Sequence, residues 1–346
     1  MTTSLTRFRN DLYEGLVDFL WRQWCRLGVP GTSEGAAGAW VIDPEPLLAF
    51  TSEMGRHDAR TFDLALDWLR VNGFWVNTQR LSSIMARDGT GSPAVMGAMA
   101  AWMCDLDKSM KWRGIARRNK EAAFRPSQPL IHTIPFGGSS DAVGSDPHFA
   151  AYGLLREAGR PRAVAKPVNL KAASNLMFRS RTLFGIGVQA DVMVYLLATG
   201  GGHARGIAGQ LGYNHMRVQE ILNRLGDAGF ASVRTAGRTK TFGLDRESWR
   251  GILYPTDASI PQWVNWRLLT RGMTRIWRDA WALDEKRADD YIVSSKMRTA
   301  MRAARDDLQG SGVGLHVEDD RAYTAEAYLP VFLRDIRSIL ATLSRI

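Results

Sequence analysis

The chain has 346 residues, 45% of them apolar, and a formal net charge of +10. This composition excludes a disordered chain, and the length is sufficient for two or three domains. Cys25 and Cys104 are too few for a disulfide framework, and the sequence shows neither a signal-peptide pattern nor an apolar run of about 18 residues. We therefore expect a cytoplasmic protein that has no membrane partner.

The first part of the chain predicts an N-terminal helical domain over residues 1–124. Several segments have the apolar spacing of amphipathic helices, and two of these begin at an N-cap residue followed by proline. The strand-like sequence FWVN follows Asn72-Gly73. The predicted helices cover residues 11–27, 44–54, 58–71 and a long segment, 93–115.

Residues 125–175 are rich in Pro, Gly, Ser and Asp, and include the run FGGSSDAVGSDP. This composition favours turns, because these residues punctuate or oppose regular structure. We interpret the segment as a loop or linker.

Two short predicted helices meet at a glycine-containing turn in the second half of the chain. Residues 188–198 predict an apolar helix that stops at three glycines, and residues 204–211 predict a short helix with Ile207 and Leu211 on one face. In the turn Gly212-Tyr213-Asn214, Asn214 is suited to cap the following helix. That helix is predicted over residues 215–226, with a buried stripe of Val218, Ile221, Leu222 and Leu225.

The outward face of the second helix is polar and basic. Two helices joined by a three-residue turn, the second with a polar outer face, have the layout of a helix-turn-helix. After Gly229, the sequence FASVRTAGRTKTFGL predicts two strands around Ala236-Gly237-Arg238. The outward residues are His215, Met216, Arg217, Gln219, Glu220, Asn223 and Arg224.

With this order of elements, residues 188–244 resemble the winged-helix domains of MarR- and ArsR-type bacterial transcription regulators. The resemblance rests on pattern and covers about a sixth of the chain. It implies that residues 215–224 lie in a major groove and that Arg238 and Lys240 on the wing reach the backbone or minor groove. Long segments on both sides depart from those small regulators. The expected winged-helix DNA-binding domain covers residues 176–254.

The positive charge of the chain is concentrated in this region. Residues 160–250 contain 14 lysines and arginines against 5 acids, a net charge of +9, while the rest of the chain carries only +1. A basic patch that coincides with a recognition motif is typical of phosphate binding. A second basic run has two alternative interpretations, a supplementary phosphate contact or a solvated surface. It consists of Lys111, Arg113, Arg117, Arg118 and Lys120.

Weak internal sequence similarity is compatible with a degenerate winged-helix unit within residues 43–80. Its acidic helix and its lack of a basic wing would place it against protein and not against DNA. Chance similarity between two amphipathic helices that end in glycine explains the match equally well. Leu66, Leu69, Gly73 and Phe74 match Leu222, Leu225, Gly229 and Phe230 at one offset.

Residues 255–346 predict a C-terminal helical domain. Its helices are predicted over residues 262–283, 287–309 and 322–343. A helical unit of this size suits a homodimer. Its tryptophans fall on helical spacing and are interpreted as core or interface anchors and not as base-stacking platforms; they are Trp263, Trp266, Trp277 and Trp281.

One alternative is enzymatic. Gly91-Ser92 followed by Asp105 and Asp107 has the skeleton of a metal-dependent nucleotidyltransferase. If residues 94–111 form a helix, carboxylates two residues apart point in different directions and do not share an ion. The six histidines are dispersed along the chain. We therefore predict no catalytic residue, no metal and no cofactor.

The sequence predicts a mainly α protein in which a winged helix-turn-helix domain is flanked by N-terminal and C-terminal helical domains. The predicted function is sequence-specific binding of double-stranded DNA by a dimeric bacterial transcription regulator. The competing hypothesis is an antitoxin-like module whose winged helix binds a toxin or another protein. The predicted DNA-binding residues are Arg205, Tyr213, Asn214, His215, Arg217, Gln219, Glu220, Asn223, Arg224, Arg234, Arg238 and Lys240.

Overall fold

The computed structural model describes residues 4–31, 40–131, 145–158, 163–253, 259–284 and 289–346. In this part of the chain the protein is mainly α-helical, as the sequence predicts. Two small sheets accompany the helices. Strands β1 (Gln128–Pro129) and β2 (Leu154–Leu155) are parallel, and β3 (Ser232–Ala236) and β4 (Thr239–Gly243) are antiparallel.

The first half of the chain forms seven of the described helices. Pro44 and Pro93 occupy the first positions of two of them, as predicted, because a proline there gives up no intrahelical hydrogen bond. Asp58 caps α3 by accepting from the amide of Thr61 at 2.6 Å. The helices are α1 (Ser4–Arg26), α2 (Pro44–Met54), α3 (Ala59–Asn72), α4 (Thr78–Asp88), α5 (Pro93–Leu106), α6 (Arg113–Arg118) and α7 (Pro147–Ala150).

The segment interpreted as a loop or linker, residues 125–175, contains four short elements. These are β1, α7, β2 and a 3-10 turn at Ala173–Asn175. The remainder of its described part is largely irregular, and residues 132–144 and 159–162 of this segment lie outside the described residues.

The strand predicted for FWVN is wrong. Gly73–Trp75 form a 3-10 turn, and Asn77 caps α4 by accepting from the amide of Arg80 at 3.0 Å. The capping residue and the buried Leu81 and Ile84, three positions apart, are the local signals of this helix. Because residues 43–80 contain no strand, the winged-helix-like unit considered there lacks its wing.

The long helix predicted over residues 93–115 is also wrong in its extent. Helix α5 ends at Leu106, and Asp107 has an extended backbone. The Asp107 carboxylate accepts from the amide and the hydroxyl of Ser109 at 2.8 and 2.7 Å. This local bonding competes with the helix, which is the usual reason that aspartate ends one.

The second half of the chain contributes the remaining described helices. Helix α10 has the predicted bounds, and α9 and α11 agree with prediction to within one residue. Helices α8 and α12 were not predicted. The helices are α8 (Leu176–Phe184), α9 (Val188–Thr199), α10 (Ala204–Leu211), α11 (His215–Asp227), α12 (Arg246–Leu253), α13 (Trp266–Ala282), α14 (Asp290–Gln309) and α15 (Tyr328–Leu343).

The two ends of the chain share one hydrophobic core. Phe8 of α1 contacts Phe332 of α15 with ring centroids 5.1 Å apart, and Phe19 stacks on Trp266 of α13 at 5.7 Å. The Trp266 indole also donates to the carbonyl of Val41 at 2.6 Å. The C-terminal helices therefore pack directly on the N-terminal ones. Among the described residues, no helix is long and apolar enough to cross a lipid bilayer.

Candidate nucleic-acid interface

Helices α10 and α11 pack against each other through the apolar stripes that the sequence predicts. Ile207 and Leu211 of α10 are fully buried. The buried residues of α11 recur at three- and four-residue spacing, so that one side of the helix faces the core and the other faces solvent. They are Val218, Ile221, Leu222 and Leu225.

The turn between these helices has a fixed conformation. Gly212 ends α10 with φ +76°, and a Cβ atom at this position would lie 2.9 Å from the side chain of Arg267. A side chain is therefore disfavoured both by the left-handed backbone and by the close approach. Asn214 then caps α11 as predicted, because its side chain accepts from the amide of Met216 at 2.9 Å.

His203 has a role that its sequence context did not lead us to expect. Its Nδ1 accepts from the amide of Gly206 at 3.1 Å and so caps α10. The signal for this cap was the position of His203 directly before the first apolar-periodic residue. Arg205, two residues further along, is exposed and forms no ion pair with a described residue.

The outward face of α11 is held by bonds among its own side chains. Glu220 accepts from Arg217 at 2.7 Å and from Arg224 at 2.5 Å, and these two guanidiniums lower the pKa of Glu220. Gln219 donates to Asn223 at 2.9 Å. His215 is exposed and Met216 keeps 64% of its surface exposed. Every predicted contact residue of α11 therefore lies on one accessible face.

The predicted hairpin is present as β3 and β4, which pair from Ser232 opposite Gly243 to Ala236 opposite Thr239. Gly237 has φ +58° at the turn, a conformation that glycine adopts without strain. The three basic side chains of the hairpin are exposed, and none of them forms an ion pair with a described acid. They are Arg234, Arg238 and Lys240.

A third segment ties the hairpin to the helices. Gly202, between α9 and α10, forms an antiparallel bridge with Phe242 of β4. The amide of Gly202 donates to the carbonyl of Phe242 at 2.8 Å, and the reverse bond measures 2.9 Å. Since Phe242 is also buried against the core, the base of the hairpin has a fixed position relative to α10 and α11.

Tyr213 lies in a different environment from the other predicted contact residues. Its hydroxyl donates to Asp191 at 2.7 Å and accepts from the side-chain amide of Asn77 at 3.1 Å. Arg80 lies over its ring at 5.4 Å. Burial, followed by the charge of Asp191, raises the pKa of Tyr213 well above its usual value. The hydroxyl of Tyr213 is thus committed to the interior, where it positions the turn.

The interior group that holds Tyr213 is a buried ion cluster that sequence reasoning missed. We define it as Asp43, Glu45, Arg80, Arg181 and Asp191, all of which have side chains excluded from solvent. Arg80 binds Asp43 at 2.5 Å and Glu45 at 2.5 Å, and Arg181 binds Glu45 at 2.8 Å and Asp191 at 3.1 Å. The cluster therefore joins α2 and α4 to α8 and α9.

Asp43 does not cap α2 with its side chain, although the sequence Asp43-Pro44 predicts that it does. Asp43 occupies the N-cap position of α2, but its side chain makes no capping bond and both of its oxygens accept from Arg80. Burial raises its pKa to about 6 against the effect of Arg80. Burial also opposes the charge of Glu45, yet Arg181 and Arg80 together hold the pKa of Glu45 at about 2.

Asp105 and Asp107 bind separate partners. Asp105 accepts from Nε2 of His148 at 2.6 Å, and Asp107 accepts from Ser109. We expected both on one helix, whereas only Asp105 lies within α5. The described ranges contain no group of three or more histidine, cysteine or acidic side chains arranged to hold a metal ion.

No protein-family model matches the chain, and neither a curated protein nor a solved structure shows significant similarity to it.

Proposed function

We propose that the protein binds double-stranded DNA with sequence specificity and regulates transcription. The proposal is carried by one observation: the exposed polar face of α11, which follows α10 after a short turn, lies in the same part of the chain as a basic hairpin, β3–β4. A helix in this position can enter a major groove, where base edges are read, while the hairpin cations bind phosphate. The positive charge supplies affinity by releasing counterions from DNA.

The order of the elements supports the winged-helix assignment. Helix α9 is followed by a bridging residue, α10, a turn, α11 and the hairpin β3–β4, and the bridge at Gly202 pairs with the hairpin. In this scheme α11 is the recognition helix. His215, Arg217, Gln219 and Glu220 lie on its first turns, which enter a groove deepest.

We also propose that the protein acts as the homodimer that the sequence predicts, and exposed apolar side chains support this. Leu183, Phe230 and Ile252 are all more than half exposed, and they lie on segments joined by Trp249. Apolar surface at such a site favours association with another chain. Sedimentation equilibrium at micromolar concentration would show a dimer, whereas Ile252→Glu would shift the protein toward monomer; a monomeric parent protein would contradict this part of the proposal.

The function is tested by titrating the full chain against duplexes taken from DNA upstream of its own gene. If about six phosphates are neutralised, the logarithm of the association constant falls with the logarithm of salt concentration with a slope of about −5. Sequence specificity requires tighter binding to one duplex than to shuffled versions of it. A flat salt response, or no binding, would contradict the proposal and favour docking of a partner protein on α11.

A further inference from the structure

A cleft of about 700 Å³ lies directly beside the first turn of α11. Its walls come from α4, from the turn before α9 and from the turn between α10 and α11. It therefore lies where the N-terminal helices meet the proposed DNA-binding unit. Six of its polar side chains are Gln79, Ser83, Arg87, Lys111, Asn214 and Arg217.

The cleft has a positive lining. Four of its lining residues are cationic and none of the described lining residues is acidic. Two of the cations are already balanced, since Arg80 belongs to the buried ion cluster and Arg217 binds Glu220. The two remaining cations, Arg87 and Lys111, form no ion pair with a described acid.

The environments of these two cations differ. Arg87 is exposed, and its guanidinium is available to a ligand. Lys111 is half-buried, and its ammonium donates to the carbonyls of Phe74 at 2.7 Å and Val76 at 3.3 Å. Burial lowers the pKa of Lys111 to about 8. An ammonium that has lost part of its hydration and has no carboxylate in contact with it gains from a nearby anion.

The backbone adds further positive potential to the same cleft. Helices α4, α9 and α11 all begin at its wall, with Asn77, Gly187 and Asn214 as their N-cap residues. Gly187 has no side chain, so the first amides of α9 receive no side-chain cap. Helix N-termini favour anions, and here they act together with the side-chain charges described above.

We propose that this cleft binds a phosphodiester of the DNA strand contacted by α11, with Arg87 and Lys111 supplying the charge. The inference rests on the proposed DNA-binding function and extends it, because both cations lie outside residues 176–254. Asn214 and Arg217 belong both to the cleft and to the first turn of α11. A strand that follows α11 therefore passes the mouth of the cleft. The N-terminal helices thus form part of the interface.

The test compares the salt dependence of DNA binding in the full-length protein and in Arg87→Gln, with Arg337→Gln as the matched control. Arg337 is also exposed, lies on α15 and does not line the cleft. Loss of one phosphate contact makes the slope of log K against log salt shallower by about 0.9. We expect this change in Arg87→Gln and the parent slope in Arg337→Gln. Lys111→Gln, checked for an unchanged circular dichroism spectrum, is expected to act like Arg87→Gln.

The possible results separate this inference from the proposed function. If the parent protein binds DNA with a steep slope that Arg87→Gln leaves unchanged, the cleft proposal fails and the DNA-binding proposal stands. A parent protein that does not bind DNA overturns both. A third arm titrates inorganic pyrophosphate by calorimetry without DNA. One result would overturn the assignment of the cleft to DNA: pyrophosphate binds saturably, Arg87→Gln abolishes that binding, and Arg87→Gln leaves the salt dependence of DNA binding unchanged. The ligand of the cleft would then be a free phosphate compound.

Discussion

Asp43 and Glu45 are two positions apart at the start of α2, yet their surroundings shift their pKa values in opposite directions. Asp43 has one guanidinium partner, and burial raises its pKa to about 6. Glu45 has two, Arg181 and Arg80, and these hold its pKa at about 2 despite burial. Glu45 therefore has the shorter contacts to the two arginines, at 2.5 and 2.8 Å, whereas Asp191 lies 3.1 Å from Arg181 and 3.8 Å from Arg80.

Glu45→Gln is expected to destabilise the protein by about 3–5 kcal/mol. The substitution keeps the shape of the side chain but removes the carboxylate charge that bonds to both buried Arg80 and buried Arg181. The measurement is the free energy of unfolding from urea titration at pH 7. The matched control is Asp63→Asn, which breaks an exposed ion pair with Arg156 and should cost less than about 1 kcal/mol. Equal costs for both variants would contradict a structural role for the cluster.

The lowered pKa of Glu45 predicts how the protein loses stability at low pH. Since the pKa of Glu45 is lower in the folded protein than in the unfolded chain, its contribution is full above about pH 4.5 and is lost as the pH falls toward about 2. Between pH 5 and pH 2, the free energy of unfolding should therefore fall less steeply with pH in Glu45→Gln than in the parent protein. Identical slopes in the parent and Glu45→Gln would show that the folded pKa of Glu45 is not lowered.

At the level of elements, the helices of the proposed DNA-binding unit were predictable because their signals are local. Ile207 and Leu211, the Gly212 stop and the Asn214 cap all act within a few residues of each other. The strand predicted at FWVN failed because aromatic residues favour strands only where a sheet can receive them. In the protein these residues lead into the Asn77 cap of α4 instead.

The turn between α10 and α11 can be tested with two glycines of the same helix–turn segment. Gly212→Ala should destabilise by about 1–2 kcal/mol, because a side chain is strained at φ +76° and would also press on Arg267. Gly209→Ala is the matched control. Gly209 lies inside α10, and no atom lies within 4 Å of the place a Cβ would occupy, so alanine should stabilise by about 0.5–1 kcal/mol. Thermal unfolding of both variants measures the difference, and the same sign for both would contradict the turn geometry.

The hairpin and α11 are expected to contribute differently to DNA binding. Arg238→Ala combined with Lys240→Ala should weaken binding to all duplexes alike, because phosphate carries no sequence code. Gln219→Ala should change sequence preference, because an amide can pair bidentately with adenine, at about 1–3 kcal/mol. Competition binding against a panel of single-base operator variants distinguishes the two effects. Unchanged binding by the hairpin variant would make the hairpin a purely structural element.

At the scale of the whole molecule, the buried ion cluster is the feature that could not be predicted from the sequence. Glu45 and Arg181 are 136 positions apart, and neither has a local pattern that predicts burial or pairing. By its local sequence, Glu45 is an ordinary acid in the first turn of a helix. The sequence predicts Tyr213 as a DNA-binding residue because its hydrogen-bond partners, Asp191 and Asn77, are distant in sequence and so leave no local sign of its burial. Long-range ion pairs leave no periodic signal.

Side chains from outside the predicted DNA-binding domain also form hydrogen bonds to the C-terminal end of helix α10. Arg80 donates to the carbonyl of Leu211 at 2.8 Å, and Arg267 of α13 bonds to the carbonyl of Gly209. These carbonyls belong to the last turn of α10, which has no intrahelical partner for them. The N-terminal and C-terminal helices thus both fix the turn before the proposed recognition helix.

We therefore expect a fragment of residues 176–253 to be much less stable than the full chain. It would keep Arg181 and Asp191 but lose Glu45 and Arg80, and the faces of α8 and α9 that are now buried would meet water. The expected result in thermal circular dichroism is a broad or absent transition for the fragment and a cooperative one for the full chain. An independent domain would instead unfold cooperatively near the temperature of the full chain. That result would show that the cluster and the bonds to α10 do not hold the unit together, and that the predicted domain at residues 176–254 folds by itself.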